Sequence, residues 1–297
     1  MGTSSAQQEK ERQATIAVAA GKGGTGKTLL ATSLAVAARS GGLGEVQLLD
    51  CDVEEPNADL LLRPQFAGSE PVHILVPQVD LEKCTRCGEC AQTCQASAIA
   101  VIRDAVLTFP ELCLGCGACA YACPVGAIAE VPRQVGVVSW GTADGEIEFY
   151  QGRVNVGEQR SGPVTRSVKR HISADKLSIL DAPPGTACPM QETIEGCDFC
   201  LLVTEPTPFG RSDLEAAVDT CRALGVPCAV IINRAGIGDG GVERYCAEQD
   251  IPILLTIPQE RAIAEAYSRG ETLAHAFPEW LEPLCAVLEQ VTKMAGQ

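Results

Sequence analysis

Residues 21–28, Gly21-Lys22-Gly23-Gly24-Thr25-Gly26-Lys27-Thr28, fit the pattern G-x-x-x-x-G-K-[ST]. Glycines at these places let backbone N–H groups turn inward round a phosphate. Lys27 then reaches the β and γ phosphates, and the Thr28 hydroxyl suits Mg²⁺. A second constellation is made of thiols. Residues 84–94 read CTRCGECAQTC and 113–123 read CLGCGACAYAC, each of the form C-x2-C-x2-C-x3-C. Matched tails follow, QASAIA (95–100) and PVGAIA (124–129), so the two runs form an internal repeat. A tight loop of this kind points three thiolates at one metal centre. Zinc fits badly, because structural zinc sites take four ligands in two pairs, and here there are two triplets and two singles.

The phosphate-loop residues need a strand before them and a helix after. ATIAVAA (14–20) is an apolar run suited to a buried parallel strand, and TLLATSLAVAARS (28–40) is a helix pattern ended by Gly41-Gly42. The helix N-terminus adds positive potential for phosphate. EVQLLDCDVEEPN (45–57) predicts a strand ending in Asp50 and Asp52, and LSILDAPPG (177–185) a strand ending in Asp181. CAVIINR (228–234) and LLTIP (254–258) predict two more, reaching Asn233 and Pro258, and 212–224 and 279–294 are amphipathic helices facing a core. Strands and helices alternate, which predicts an α/β fold with a doubly wound, mostly parallel sheet. Between the two aspartate motifs the composition changes. Residues 79–132 predict a small inserted α+β domain, too poor in apolar residues to fold without metal, which leaves 14–78 and 133–297 as the main domain. Residues 136–176 predict turns and short strands that join the two modules or cover the insert. Alternation in EIEFYQGRVNV predicts a hairpin there.

Composition narrows the function classes. The chain has 297 residues and a formal charge of −15, which argues against non-specific nucleic-acid binding and against an anionic membrane. No run of eighteen apolar residues predicts a membrane span. The start, MGTSSAQQEKERQ, lacks the apolar core of a secretory signal, and Ala6 stands where a myristoylation signal wants Ser or Thr; residues 1–13 predict a disordered tail. Sixteen cysteines without an export signal predict a reducing, cytoplasmic setting with thiolates used for metal.

Together these motifs resemble the MinD/Mrp/nitrogenase iron protein superfamily of P-loop ATPases, carrying an inserted bacterial-type ferredoxin domain. The resemblance covers almost everything after the first dozen residues. It implies ATP or ADP with Mg²⁺, cradled by Gly21, Gly23, Gly24, Thr25, Gly26, Lys27 and Thr28. Lys22, directly after the first glycine, cannot easily fold back onto its own loop. It matches the signature lysine of a deviant Walker A loop, which reaches phosphate across a dimer interface; a solvated surface lysine is the alternative. Asp50 and Asp52 match switch I, with Asp52 orienting or deprotonating the attacking water. Asp181 matches the Walker B aspartate, holding Mg²⁺ with Thr28 and Asp50, and Pro183-Pro184-Gly185 resembles switch II. Asn233 and the loop at Pro258 match adenine contacts, although an Asn after a strand is also a common turn residue.

In the bacterial ferredoxin signature the fourth cysteine of each run ligates the other cluster. That implies one 4Fe-4S cluster on Cys84, Cys87, Cys90 and Cys123, and a second on Cys113, Cys116, Cys119 and Cys94. Pro124 follows the second run, but Gln95 replaces proline after the first. Cys188 stands where the nitrogenase iron protein holds a bridging cluster, yet residues 133–176 lack the second cysteine that such a site needs, so a thiol near the interface is favoured. Cys197 and Cys200 form a C-x2-C pair such as Mrp-type carriers use for a labile cluster. Cys200 opens a strand, which favours core packing instead. Cys221, Cys228 and Cys285 read as small core residues, and His73, His171 and His275 are scattered.

The leading expectation is a nucleotide-gated electron carrier, a homodimer or a heterodimer with a paralogue, that serves a redox partner protein. The insert emerges between the two switches in sequence. An iron–sulfur assembly or carrier ATPase is the first alternative. A spatial or partitioning ATPase with a docking ferredoxin module is the second. No nucleic-acid or membrane partner is expected.

Overall fold

A computed structural model describes residues 12–144, 146–236 and 238–296. Strand β1 (Thr15–Ala19) and helix α1 (Lys27–Ser40) flank the glycine loop, and β2 (Val46–Asp50) and α2 (Ala58–Leu62) follow. Strand β3 (Gln65–Val79) runs out to the cysteine segment, which holds α3 (Glu89–Thr93), β4 (Ile99–Ile102), β5 (Ala105–Thr108) and α4 (Ala118–Tyr121). Strand β6 (Ile128–Ala143) runs back, followed by β7 (Ile147–Val154), α5 (Gly162–Lys169), β8 (Leu177–Asp181) and α6 (Cys188–Ile194). Then come β9 (Phe199–Thr204), α7 (Pro208–Leu224), β10 (Cys228–Ala235), α8 (Gly241–Glu248) and β11 (Ile253–Pro258). Helices α9 (Arg261–Ser268), α10 (Leu273–Ala276) and α11 (Leu281–Ala295) close the chain.

One sheet of nine strands runs β11-β10-β9-β1-β8-β2-β7-β6-β3. From β11 to β7 every neighbouring pair is parallel, and β6 is antiparallel to both β7 and β3. Side chains of a strand point alternately to its two faces, and β1 shows the consequence. Ile16 and Val18 enter a core layer with α1, α10 and α11, while Ala17 and Ala19 enter the opposite layer with α5, α6, α7 and α8. Helices therefore cover both faces, as a sheet with buried parallel strands requires. Among the described residues no helix is long and apolar enough to cross a membrane.

The segment before β8 departs from expectation. Residues 147–154 form one strand, and its hairpin partner is β6. The stretch 136–176 does not consist only of turns and short strands, because β6 spans 16 residues. It pairs with the 15-residue β3 from Gln65↔Thr142 out to Val79↔Ile128. The expected boundary at 132 thus falls inside β6. Pro71, Pro77, Pro132 and Gly136 make these strands read as turns. Proline is tolerated at a sheet edge, where its missing N–H breaks no ladder; β3 is the last strand of the sheet, and residues 128–135 of β6 pair with β3 alone.

Of the expected tail, residues 1–11 lie outside the described residues. Arg12 and Gln13 are held to the body, a correction to that expectation: Arg12 Nη1 donates to Asp198 Oδ1 at 2.9 Å, and Gln13 N to the Ala174 carbonyl at 2.8 Å.

Candidate functional site

The glycine loop leaves the C-terminal end of β1, between its neighbours β8 and β9. Two of its glycines are required by close approach. A Cβ at Gly21 would overlap the Asp213 carbonyl of α7, and one at Gly26 would overlap Asn233 Nδ2. Gly26 also has φ +97°, a left-handed conformation that favours glycine. Asn233 braces this loop: its Nδ2 donates to the Thr25 carbonyl at 2.8 Å, and its Oδ1 accepts from Arg234 N at 3.0 Å.

Gly23, Gly24, Gly26, Lys27 and Thr28 line a cavity of about 790 Å³. Its other walls come from Asp52, Glu55, Asn57 and Pro184, from Asn233, and from the β11–α9 region with Pro258, Ile263 and Tyr267. One wall carries phosphate-binding geometry and another offers apolar and aromatic surface, as a nucleotide requires. Thr25 is buried beneath the loop. Lys22 does not line the cavity. Its Nζ lies 3.2 Å from Glu205 Oε2, and Glu205, nearly buried, also accepts from the Arg234 guanidinium. Sequence reading missed Glu205. A carboxylate directly after a buried strand was its only signal.

Three aspartates meet behind the loop. The sheet register puts Asp50 beside Asp181. Asp181 is fully buried, and neither of its oxygens has a hydrogen-bond partner. Burial pushes its carboxyl up to about 6, against the pull of Lys27 and Thr28. Two orphaned carboxylate oxygens beside a hydroxyl fit a hard cation such as Mg²⁺. Asp52 lines the cavity and is also pushed up to about 6 by burial, with Lys27 opposing. Asp50, expected as a magnesium ligand, is held by the backbone. Its carboxylate accepts from the backbone N–H groups of Asp52 at 3.2 Å and of Asn57 and Ala58 at 3.1 Å. It therefore shapes the loop that carries Asp52. Burial and neighbouring Asp181 hold its carboxyl well above the usual range.

The cysteines of the two runs sort into fours. Cys84, Cys87, Cys90 and Cys123 line one cavity, and Cys94, Cys113, Cys116 and Cys119 line another. The first is small, about 10 Å³, and the second larger, about 360 Å³. Backbone N–H groups point at three of the sulfurs: Ala98 to Cys94 and Ala127 to Cys123, both at 3.2 Å, and Gly115 to Cys113 at 3.4 Å. Among the described residues no three Cys, His, Asp or Glu side chains converge tightly enough for a single metal ion. Four thiols spread round a cavity, with amide donors on their sulfurs, have the chemistry of a polynuclear iron–sulfur site.

The other cysteines separate. Cys188 is exposed at the start of α6. Cys197 is buried, its thiol donates to the Thr193 carbonyl at 3.3 Å, and burial pushes it up to about 12. Cys200 is buried in β9 opposite Cys228 of β10. Strand and helix packing turn both thiols inward, away from any shared surface.

A sequence profile of the CobQ/CobB/MinD/ParA nucleotide-binding domain matches residues 16–273, and the chain belongs to that family. The uncharacterized protein MJ0578 of Methanocaldococcus jannaschii is 34% identical over 227 residues, which cover 75% of this chain and 79% of the relative. A cytosolic Fe-S cluster assembly factor, the Nubp1 homolog of Drosophila pseudoobscura pseudoobscura, is 24% identical over 172 residues, covering 47% and 55%. The septum site-determining protein MinD of Pyrococcus horikoshii, solved with Mg-ADP, shares the fold. Its TM-score is 0.58 at 19% identity, over 96% of this chain and 98% of that one.

Proposed function

We propose that this chain hydrolyses MgATP as a face-to-face dimer and couples nucleotide state to electron transfer, through two 4Fe-4S clusters, toward a partner protein. One observation carries the reading. Eight cysteines stand in two fours round two cavities, on loops and short helices of a segment that β3 and β6 join to the sheet bearing the nucleotide cavity. Cys84, Cys87, Cys90 and Cys123 would hold one cluster, and Cys94, Cys113, Cys116 and Cys119 the other. Bound clusters supply one-electron storage at low potential.

At the nucleotide cavity Lys27 binds the β and γ phosphates. Lys22 leaves Glu205 to complete the partner copy's site. Asp52 orients the attacking water and accepts its proton as the γ phosphoryl leaves ADP. Thr28 and Asp181 would hold Mg²⁺, which neutralises phosphate charge. Asn233 steadies the loop, and Pro258 packs by the base. Physical continuity supports the coupling. Val154 N of β7 donates to the Val53 carbonyl at 2.9 Å, one residue past Asp52, and Asn155 N donates to the Val135 carbonyl of β6 at 2.9 Å. The loop carrying Asp52 is thus bonded through β7 to β6, the strand that returns from the cysteine segment.

The test is iron and acid-labile sulfide analysis of anaerobically purified chain, with MgATP hydrolysis measured on the same sample. About eight of each per chain, with turnover, is the expected result; zinc in place of iron would sink the redox half. The similarity to an Fe-S assembly factor favours a second reading, a cluster-carrier ATPase. With Cys197 and Cys200 buried, that reading leaves only Cys188 and the insert to hold cargo. ATP-stimulated transfer of iron to an apo-ferredoxin would support it.

A further inference from the structure

The two cysteine runs are repeats, but the fold treats them unequally. The second leans on the β3–β6 ribbon. A Cβ at Gly115 would lie 3.3 Å from the Leu75 carbonyl oxygen of β3, and one at Gly117 would lie 3.2 Å from Glu130 Oε1 of β6. At the place of Gly115 the first run has Arg86, whose Nε donates to the Asp104 carbonyl at 2.9 Å, away from the ribbon. The charges on the cavity walls differ accordingly. Arg86 and Glu89, one of each sign, line the first cavity. Among the described residues lining the second, Glu130 is the one with a charged side chain.

On the reading that the cavities hold clusters, we infer that Glu130 sets the reduction potential of the second centre, keeping it lower than a neutral side chain would. An incoming electron adds negative charge to a centre already surrounded by thiolates. A carboxylate on the wall therefore opposes the reduced state more than the oxidised one. Amide donors act the other way. The Ala98 and Ala127 bonds are related by the repeat, one at each cavity, and offset each other. The additional Gly115 bond at the second cavity is long, 3.4 Å, and is a dipole set against a full charge. Glu130 also belongs to β6, which pairs with β7 next to the loop carrying Asp52. A slide of β6 past the 113–119 loop moves this carboxylate against the second centre, which gives the ribbon a means of acting on it.

The experiment is an anaerobic redox titration followed by electron paramagnetic resonance on the full chain, with Cys116→Ser used to assign the second centre's signal. Glu130→Gln should raise the midpoint of that centre alone. The expected change is about three- to tenfold in its reduced-to-oxidised ratio at fixed potential, the upper end corresponding to about 59 mV for one electron. Glu130→Asp should restore most of the native midpoint, and Glu89→Gln should move the first centre and not the second. Because Glu130 is exposed, raising salt on the native chain should move the second centre in the same direction as Glu130→Gln. An unchanged second midpoint in Glu130→Gln, or equal shifts of both centres, overturns the inference while iron content still stands for the clusters. A chain without iron removes the cluster reading and this inference together, and the metal analysis tells the two failures apart.

Discussion

The nucleotide cavity is walled by the middle of a nine-stranded sheet, whereas the cysteine cavities are walled by short loops on a two-stranded ribbon. At the first, packing seats the chemistry. Asp181 is fully buried, Asp50 accepts three backbone N–H groups, and Asn233 clasps the glycine loop. At the second, little is buried. The buried residues there are few, among them Val76, Ala98, Ile99, Cys113 and Ala127, while Leu81, Leu114 and Tyr121 lie exposed and Cys87 and Cys116 face solvent. A large core makes the one site. The other belongs to a unit with little core of its own, where, on the proposed function, metal binding and folding would be linked.

That contrast is easiest to break at the lysines. Lys27→Ala and Lys22→Ala should each lower MgATP hydrolysis by about 10³-fold, the scale of losing a charge on the transferring phosphoryl. Iron content should stay as in the native chain; iron lost along with turnover would mean the two sites do not fold independently. Stripping the iron with a chelator should do the reverse. Protease should then cut within 80–127 at least about tenfold faster, while ATP affinity changes less than about threefold. Limited proteolysis beside calorimetric titration reads both.

Asp181→Asn sharpens the comparison from the side of the sheet. The carboxyl is raised from 3.8 to about 6 in the folded chain. Its contribution to stability is therefore complete below about pH 4 and lost as pH rises through about 6. At pH 7 the ligand-free native chain carries a buried charge that the amide removes. The variant should melt later by on the order of 2 kcal/mol and lose Mg²⁺-dependent turnover. A less stable variant would mean that Asp181 is compensated in some other way. Asp52, raised to about 6 as well, should give a turnover rate that climbs with pH through about 6 and then levels. A flat profile from pH 5 to 8 would remove Asp52 as the base. Smallest of all, Cys200→Ala should cost about 1 kcal/mol and leave the iron count unchanged, because that thiol fills core. A fall in iron would return it to the list of ligands.

What sequence reading reached was local. The glycine loop, its strand and its helix lie within thirty residues, and their periods announce them. The sorting of cysteines into fours came with the resemblance to the bacterial ferredoxin signature. What escaped depends on distant partners. Asp50 meets the N–H groups of Asn57 and Ala58 only because the chain doubles back to it. Lys22 finds Glu205, far along the chain at the end of β9, a pairing that no motif records. The long ribbon was hidden by its prolines, which are harmless on an edge and read as turns when the edge is unknown. Glu130 passed unnoticed for the same reason, since the strand that aims it at the second cavity was not expected.

The most direct measurement is a redox titration of the clusters, with and without MgATP, followed by electron paramagnetic resonance on anaerobic protein. A nucleotide-dependent shift in midpoint or line shape, larger at the centre leaning on the ribbon, is the predicted result. Superimposable curves for two intact clusters, on protein shown to bind ATP, would contradict the coupling.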